Sequence, residues 1–257
     1  MPNHLKTIIP LFIVLLLSPI GISLAQTPSP PPTPIPSTTT TPEGCLTPSP
    51  PPLHIYVPDD YATIQLAIDV AVDGDEIIVR DGTYIGEGNR DIEFRGKAIS
   101  LSSENGPENT IIDCEREGRG FSFQSGETLT TILSGFTITG GSVDYGGGII
   151  IRDSSPLITE CIISRNWARK HGAGVCLYNS NSTVITDCSI SNNGGGYTFQ
   201  GGGVYIGDGS SSVVINNCTI SNNGSSSDSA VKGGGIYVGN SSTALIKQST
   251  ISDNVLF

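Results

Sequence analysis

Residues 172–193, GAGVCLYNSNSTVITDCSISNN, decide the fold. A glycine-rich triplet leads into an alternating apolar strand, Val175-Cys176-Leu177. A polar turn follows, and then Cys188-Ser189-Ile190-Ser191-Asn192-Asn193. The same pattern begins again at Gly146-Gly147-Gly148-Ile149, at Gly201-Gly202-Gly203-Val204 and at Gly233-Gly234-Gly235-Ile236. It runs on to Cys161-Ile162-Ile163-Ser164, Cys218-Thr219-Ile220-Ser221 and Ser249-Thr250-Ile251-Ser252. A repeat shorter than about 35 residues with no helical period describes a stacked solenoid.

Alternation points Val175 and Leu177, Val204 and Ile206, and Ile236 and Val238 inward. It points Cys176, Tyr205 and Tyr237 outward. Stacked coils align Asn166, Asn193, Asn223 and Asn254 into an amide ladder, for which left-handed backbone at the asparagines is expected. Asp153, Asn179, Asp208 and Asn240 form a second turn column. Cys161, Cys188 and Cys218 share one inward position with Ser249, and Phe136 holds the corresponding position upstream. With six cysteines in the chain, a disulfide framework is the alternative. Parallel neighbours about 4.8 Å apart bridge only with strain, so buried thiols are expected. Upstream strands around Ile92, Ile99, Ile111 and Phe121 bring the expected total to about six or seven coils.

Outside the solenoid, composition divides the chain. Residues 1–25 carry Lys6, an apolar run from Ile8 to Leu17 and the small-x-small site Ser23-Leu24-Ala25, the pattern of a secretory signal peptide. Residues 26–53 are rich in Pro, Thr and Ser and are expected to form an extended linker. Residues 54–257 form the repeat domain, which is expected to continue past Phe257 because Val255-Leu256-Phe257 is apolar with no visible cap. At the other end, Ile64, Ala67, Ile68 and Ala71 share one face of an amphipathic helix capped by Asp59 or Asp60, which would close the solenoid.

The stretch ATIQLAIDVAVDGDEIIVRDGTY, residues 62–84, resembles the opening of pectin-lyase-like right-handed parallel β-helix proteins, including pectin methylesterases. The Gly-Gly-Gly-Ile and Ile-Ser-x-Asn units are similar to the repeats of polymorphic outer-membrane proteins. The resemblance implies an all-β, right-handed parallel β-helix with a short N-terminal capping helix. That scaffold hosts lyases, hydrolases, esterases and inert surface proteins, so fold alone leaves the activity open.

Net charge is −11 with no basic stripe, which argues against nucleic acid. No stretch after the leader is apolar enough to span a bilayer. The inserts between each ladder asparagine and the next glycine triplet are expected as neighbouring loops. They gather Trp167, Tyr145, Tyr197, Phe199, Arg169 and His171, planar and polar groups suited to sugar rings. The expected function is a secreted or cell-surface scaffold for recognition or adhesion. It would bind an extracellular polysaccharide or cell-surface glycan without catalysis, cofactor or metal. Two alternatives stand beside it. One is a Ca²⁺-dependent, pectate-type polysaccharide lyase built on Asp144, Asp153, Arg152 and Arg165; the other is a purely structural surface protein. No catalytic residue is identified: Asp59-Asp60, Arg95-Gly96-Lys97 and His171 do not stand in the order or setting that hydrolases of this fold use.

Overall fold

The computed structural model describes residues 51–196, 200–225 and 232–256. The leader, nearly all of the linker, Cys45, Tyr197 and Phe199 lie outside the described residues. Within them the chain is an all-β solenoid in which every pair of neighbouring strands runs parallel.

One coil shows how the sequence makes the turns. Ile149–Arg152 belongs to a six-stranded sheet, Leu157–Thr159 to an eight-stranded sheet, and Ile162–Ser164 to a seven-stranded sheet. Trp167–His171 then joins a narrow five-stranded sheet. This fourth sheet corrects the expectation of loops, because each insert begins with a strand, and those at Ser142–Tyr145 and Trp167–His171 are strand throughout. Register is in step between coils, Ile151 with Leu177 and Ile163 with Ile190. The inward columns Ile158–Ile185–Ile215 and Ile163–Ile190–Ile220 are therefore continuous and fully buried. Each such side chain contributes about 1.5–3 kcal/mol of burial.

The turns use left-handed backbone in columns. Glu160, Asp187, Asn217 and Gln248 all have φ between 49 and 55°. Each cysteine thiol donates back across that residue, from Cys161 to the Thr159 carbonyl (3.2 Å), from Cys188 to Thr186 (3.1 Å) and from Cys218 to Asn216 (3.2 Å). The Ser249 hydroxyl does the same to Lys247 at 2.9 Å, which explains why serine replaces cysteine there. The five described cysteines are free and buried, as the repeat register implied for Cys161, Cys188 and Cys218. Cys188, flanked by the thiols of Cys161 and Cys218 and removed from water, is held well above the usual thiol value.

A second column adjoins the amide ladder and carries a correction. The left-handed residues are Arg165, Asn192, Asn222 and Asp253, each one position before the ladder asparagine. The ladder residues themselves turn inward, with Asn166, Asn193 and Asn223 at most 2% exposed. In the third column, expected as a turn, Asp153, Asn179 and Asp208 are left-handed, whereas in the last coil the left-handed residue is Ser241 and not Asn240.

The glycine triplet has two physical reasons. Gly146, Gly172, Gly201 and Gly233 adopt φ between 58 and 67°, and the third glycine lies against the next coil.

The N-terminal helix, Ile64–Val70, buries Ile64, Ala67 and Ile68 against the first strands. Its cap is not Asp59 or Asp60. The Thr63 side chain accepts from the Leu66 amide (3.3 Å), and Asn89 Oδ1 accepts from Ile64 (3.0 Å). Asp59 instead pairs with Arg80 at 2.9 Å, and Asp60 accepts from the Tyr56 amide at 2.7 Å. Lys97 Nζ closes the other end by donating to the carbonyls of Ile68, Asp69 and Ala71 at 2.7–2.8 Å.

Candidate functional site

The strand Trp167–His171 distributes its side chains to two places. Ala168 is buried with Ala173, which anchors the strand. At its start, the Trp167 amide donates to the Gly141 carbonyl at 2.7 Å. The Trp167 side chain is left 42% exposed. It lines a cleft of about 280 Å³ together with Arg116, Gly141, Ser142 and Arg165. Gly141 is the floor. Its amide donates to Asn166 Oδ1 at 2.9 Å, which fixes the cleft to the top of the ladder.

The far end of the strand belongs to another cluster. His171 stacks on Tyr205 with ring centres 4.5 Å apart and planes 10° apart, and it lies 5.5 Å from Tyr145. Tyr145 meets Tyr178 edge-on at 5.9 Å, and Tyr205 stacks on Tyr237 at 5.4 Å. The Tyr205 ring lies over Gly207, where a Cβ would fall 2.2 Å from it. Beneath these rings Ile150, Cys176 and Tyr205 are buried. The expectation that Cys176 and Tyr205 face solvent is thus corrected. They leave the main core, but the insert strands and their aromatics cover them. Burial pushes both groups up to about 12.

Arg169 pairs with Asp144 at 2.7 Å, and Lys170 approaches the same carboxylate at 3.7 Å. The Arg169 hydrogen bond is the main cause that holds the Asp144 carboxyl below its ordinary value. Lys170 Nζ also sits 4.9 Å from the centre of the Tyr145 ring.

Of the six residues expected at one sugar site, Trp167 alone lines the cleft. Tyr145, Arg169 and His171 belong to the neighbouring cluster, and Tyr197 and Phe199 lie outside the described residues. Sequence reasoning missed Arg116, Ser142 and Arg165. For Arg165 a signal existed, because the aligned repeats place Asn192, Asn222 and Asp253 at its position.

The residues named for a Ca²⁺-dependent lyase do not converge. Asp144 is held by Arg169, Asp153 accepts from Asn179, and Arg152 lies over the Tyr178 ring at 5.5 Å. Among the described residues no group of three or more His, Cys, Asp and Glu side chains is placed to hold a metal ion.

His171 supplies a pH test of the aromatic cluster. Burial lowers its pKa, while the Lys170 backbone and the Asp208 charge oppose that shift in part. Its Nδ1 is buried with no hydrogen-bond partner among the described residues. The unfolded chain, with a histidine near about 6.5, therefore binds more protons than the native state below that value. Stability is expected to fall as pH drops through about 6.5 and to level off below the lowered native value. His171→Phe should flatten that part of the profile in thermal melts between pH 7.5 and 5. An unchanged slope would show that the stack imposes no cost on the charged ring.

Residues 97–256 match the family described as right handed beta helix region. No curated protein matches the chain. Among solved structures, pectin methylesterase from carrot is similar over 80% of this chain and 84% of that one, at 12% identity and a TM-score of 0.38.

Proposed function

The chain belongs to the right-handed β-helix family, and on that premise we propose that it is a secreted or cell-surface recognition scaffold that binds an extracellular glycan at the Trp167 cleft. One observation carries the reading. Among the described residues Trp167 is the one exposed aromatic side chain, and it forms the wall of a concave site with polar neighbours. The described phenylalanines are buried, and the described tyrosines are buried or half-buried. An indole face takes the C–H face of a sugar ring, while hydroxyl and guanidinium groups at its edge fix the ring's orientation. The volume lies near the lower end for small-molecule sites, which suits a single protruding unit of a longer glycan.

The lining also argues for binding without turnover. Glycoside hydrolysis needs two carboxyl groups across the scissile bond, and no carboxylate lines the cleft among the described residues.

The test is a glycan array followed by calorimetric titration of the best ligand. Trp167→Ala is expected to weaken binding about tenfold or more, the usual cost of truncating an aromatic anchor. Thermal stability should hardly change, because the ring covers little core. Full binding by Trp167→Ala, or no glycan bound by the native chain, would overturn the proposal.

A further inference from the structure

We infer that the cleft recognises an anionic sugar unit, with the guanidinium groups of Arg116 and Arg165 holding a carboxylate or sulfate while Trp167 carries the ring. This deepens the glycan-binding reading above and rests on it. The chain carries −11 overall, so its arginines have many carboxylates to choose from. Arg80 pairs with Asp59 and Glu104, Arg90 with Glu115 and Glu117, Arg95 with Asp69, and Arg119 with Asp91. Arg116 and Arg165 have no carboxylate within ion-pair distance among the described residues, although both line a concave site.

The two acids that flank Arg116 are already committed. Glu115 and Glu117 flank Arg116 directly, yet both reach Arg90, at 3.0 and 2.5 Å. On the neighbouring strand Asp144 is held by Arg169 and Lys170. The cleft therefore presents two guanidinium groups that no carboxylate neutralises, the condition under which an exposed guanidinium pair takes an oxyanion.

Backbone geometry points the same way. Arg116 and Arg165 adopt φ of 66 and 57°. A long side chain is disfavoured in that region relative to glycine or asparagine, and the later coils place Asn192 and Asn222 at the position of Arg165. The left-handed turn itself belongs to the solenoid, since Asn192, Asn222 and Asp253 share it; what is particular to this coil is that the position holds a guanidinium side chain that lines the cleft. Between them lie Gly140 and Gly141, which have no side chains; the Arg116 amide donates to the Gly140 carbonyl at 2.7 Å. Two strand spacings put the two arginine backbones about 10 Å apart, a gap that two guanidinium arms close onto one anion above the glycine floor.

The experiment titrates the full chain, followed by Trp167 fluorescence, with a glucuronate trisaccharide, its methyl ester, and a neutral trisaccharide with and without a 6-sulfate. The acid is expected to bind at least tenfold tighter than its ester, with an advantage that shrinks in salt. Arg116→Gln and Arg165→Gln should each cut binding of the acid about tenfold and weaken the ester clearly less. Arg165→Asn restores the residue of the later repeats, so it tests the same loss in a variant suited to the fold. Tighter binding of the sulfated sugar than of the uronate would support the inference with sulfate as the source of the anion. Equal binding of acid, ester and neutral sugar, unaffected by the arginine variants, would overturn the anion inference and leave the glycan site standing. No response to any sugar would overturn both.

Discussion

Asn193→Asp is expected to lower the stability of the β-helix by about 3–5 kcal/mol, although the two side chains have nearly the same shape. The Asn193 amide uses all of its capacity. Its Oδ1 accepts from the Asn166 backbone amide at 3.0 Å and from Asn166 Nδ2 at 3.1 Å. Its Nδ2 donates to the Ile163 carbonyl at 2.8 Å and to Asn223 Oδ1 at 3.0 Å. The residue is 1% exposed, so water cannot substitute. Aspartate keeps the two acceptor contacts but turns an oxygen toward two other oxygens. If ionised it is a buried anion, and if protonated it has one donor for two acceptors. Asn254→Asp should cost clearly less, because that residue is half-buried and makes its donor bond to Ile220 near solvent. Urea unfolding of both variants checks the pair. Equal effects, or a loss below about 1 kcal/mol at Asn193, would mean that the ladder decorates the coils rather than holding them.

Gly174→Ala is expected to cost about 3 kcal/mol, the upper part of the range for overpacking. The added Cβ would lie 2.5 Å from the Gly203 carbonyl oxygen, 3.0 Å from Ile190 and 3.1 Å from Asn193 Nδ2. The nearest of these atoms is backbone of the adjacent coil, which cannot move without breaking the bonds from Gly174 to Gly202 and from Val175 to Gly203, at 3.2 and 2.9 Å. Because each coil touches only its neighbours, the damage should spread along the stack as a loss of cooperativity. Gly106→Ala is the control. It has open space around it and φ of 89°, so it carries only the backbone cost of about 1 kcal/mol. Thermal and urea denaturation should rank the two clearly; parity would show that coils separate more freely than their hydrogen bonds suggest.

The repeated features were legible in the sequence because repetition turns one residue into a column. Asn193 alone says little, whereas four asparagines at one position describe a ladder, and Ser249 in a cysteine column marks a shared inward position for small side chains. What failed was whatever the repeat does not encode. The helix cap needs Asn89, which is 25 residues from Ile64, and nothing local signals it. The fourth sheet escaped notice because its strands shrink from five residues at Trp167–His171 to two at Gly194–Gly195 and show no alternation. Alternation correctly turned Cys176 and Tyr205 away from the core but says nothing of what covers them. The expected sugar site joined residues by proximity along the insert. Trp167 and His171 lie at opposite ends of one strand, and the partners of Trp167 come from the preceding turns.

The cysteine column has a consequence for how such a chain can be made. Its thiols act as hydroxyl-like donors, and Ser249 performs the same task without sulfur. Stacking is thus indifferent to the redox poise of the surroundings. A coil closed in a reducing compartment is the same coil as one closed in an oxidising one, and the repeat domain needs no oxidase, isomerase or pairing order to reach its final winding.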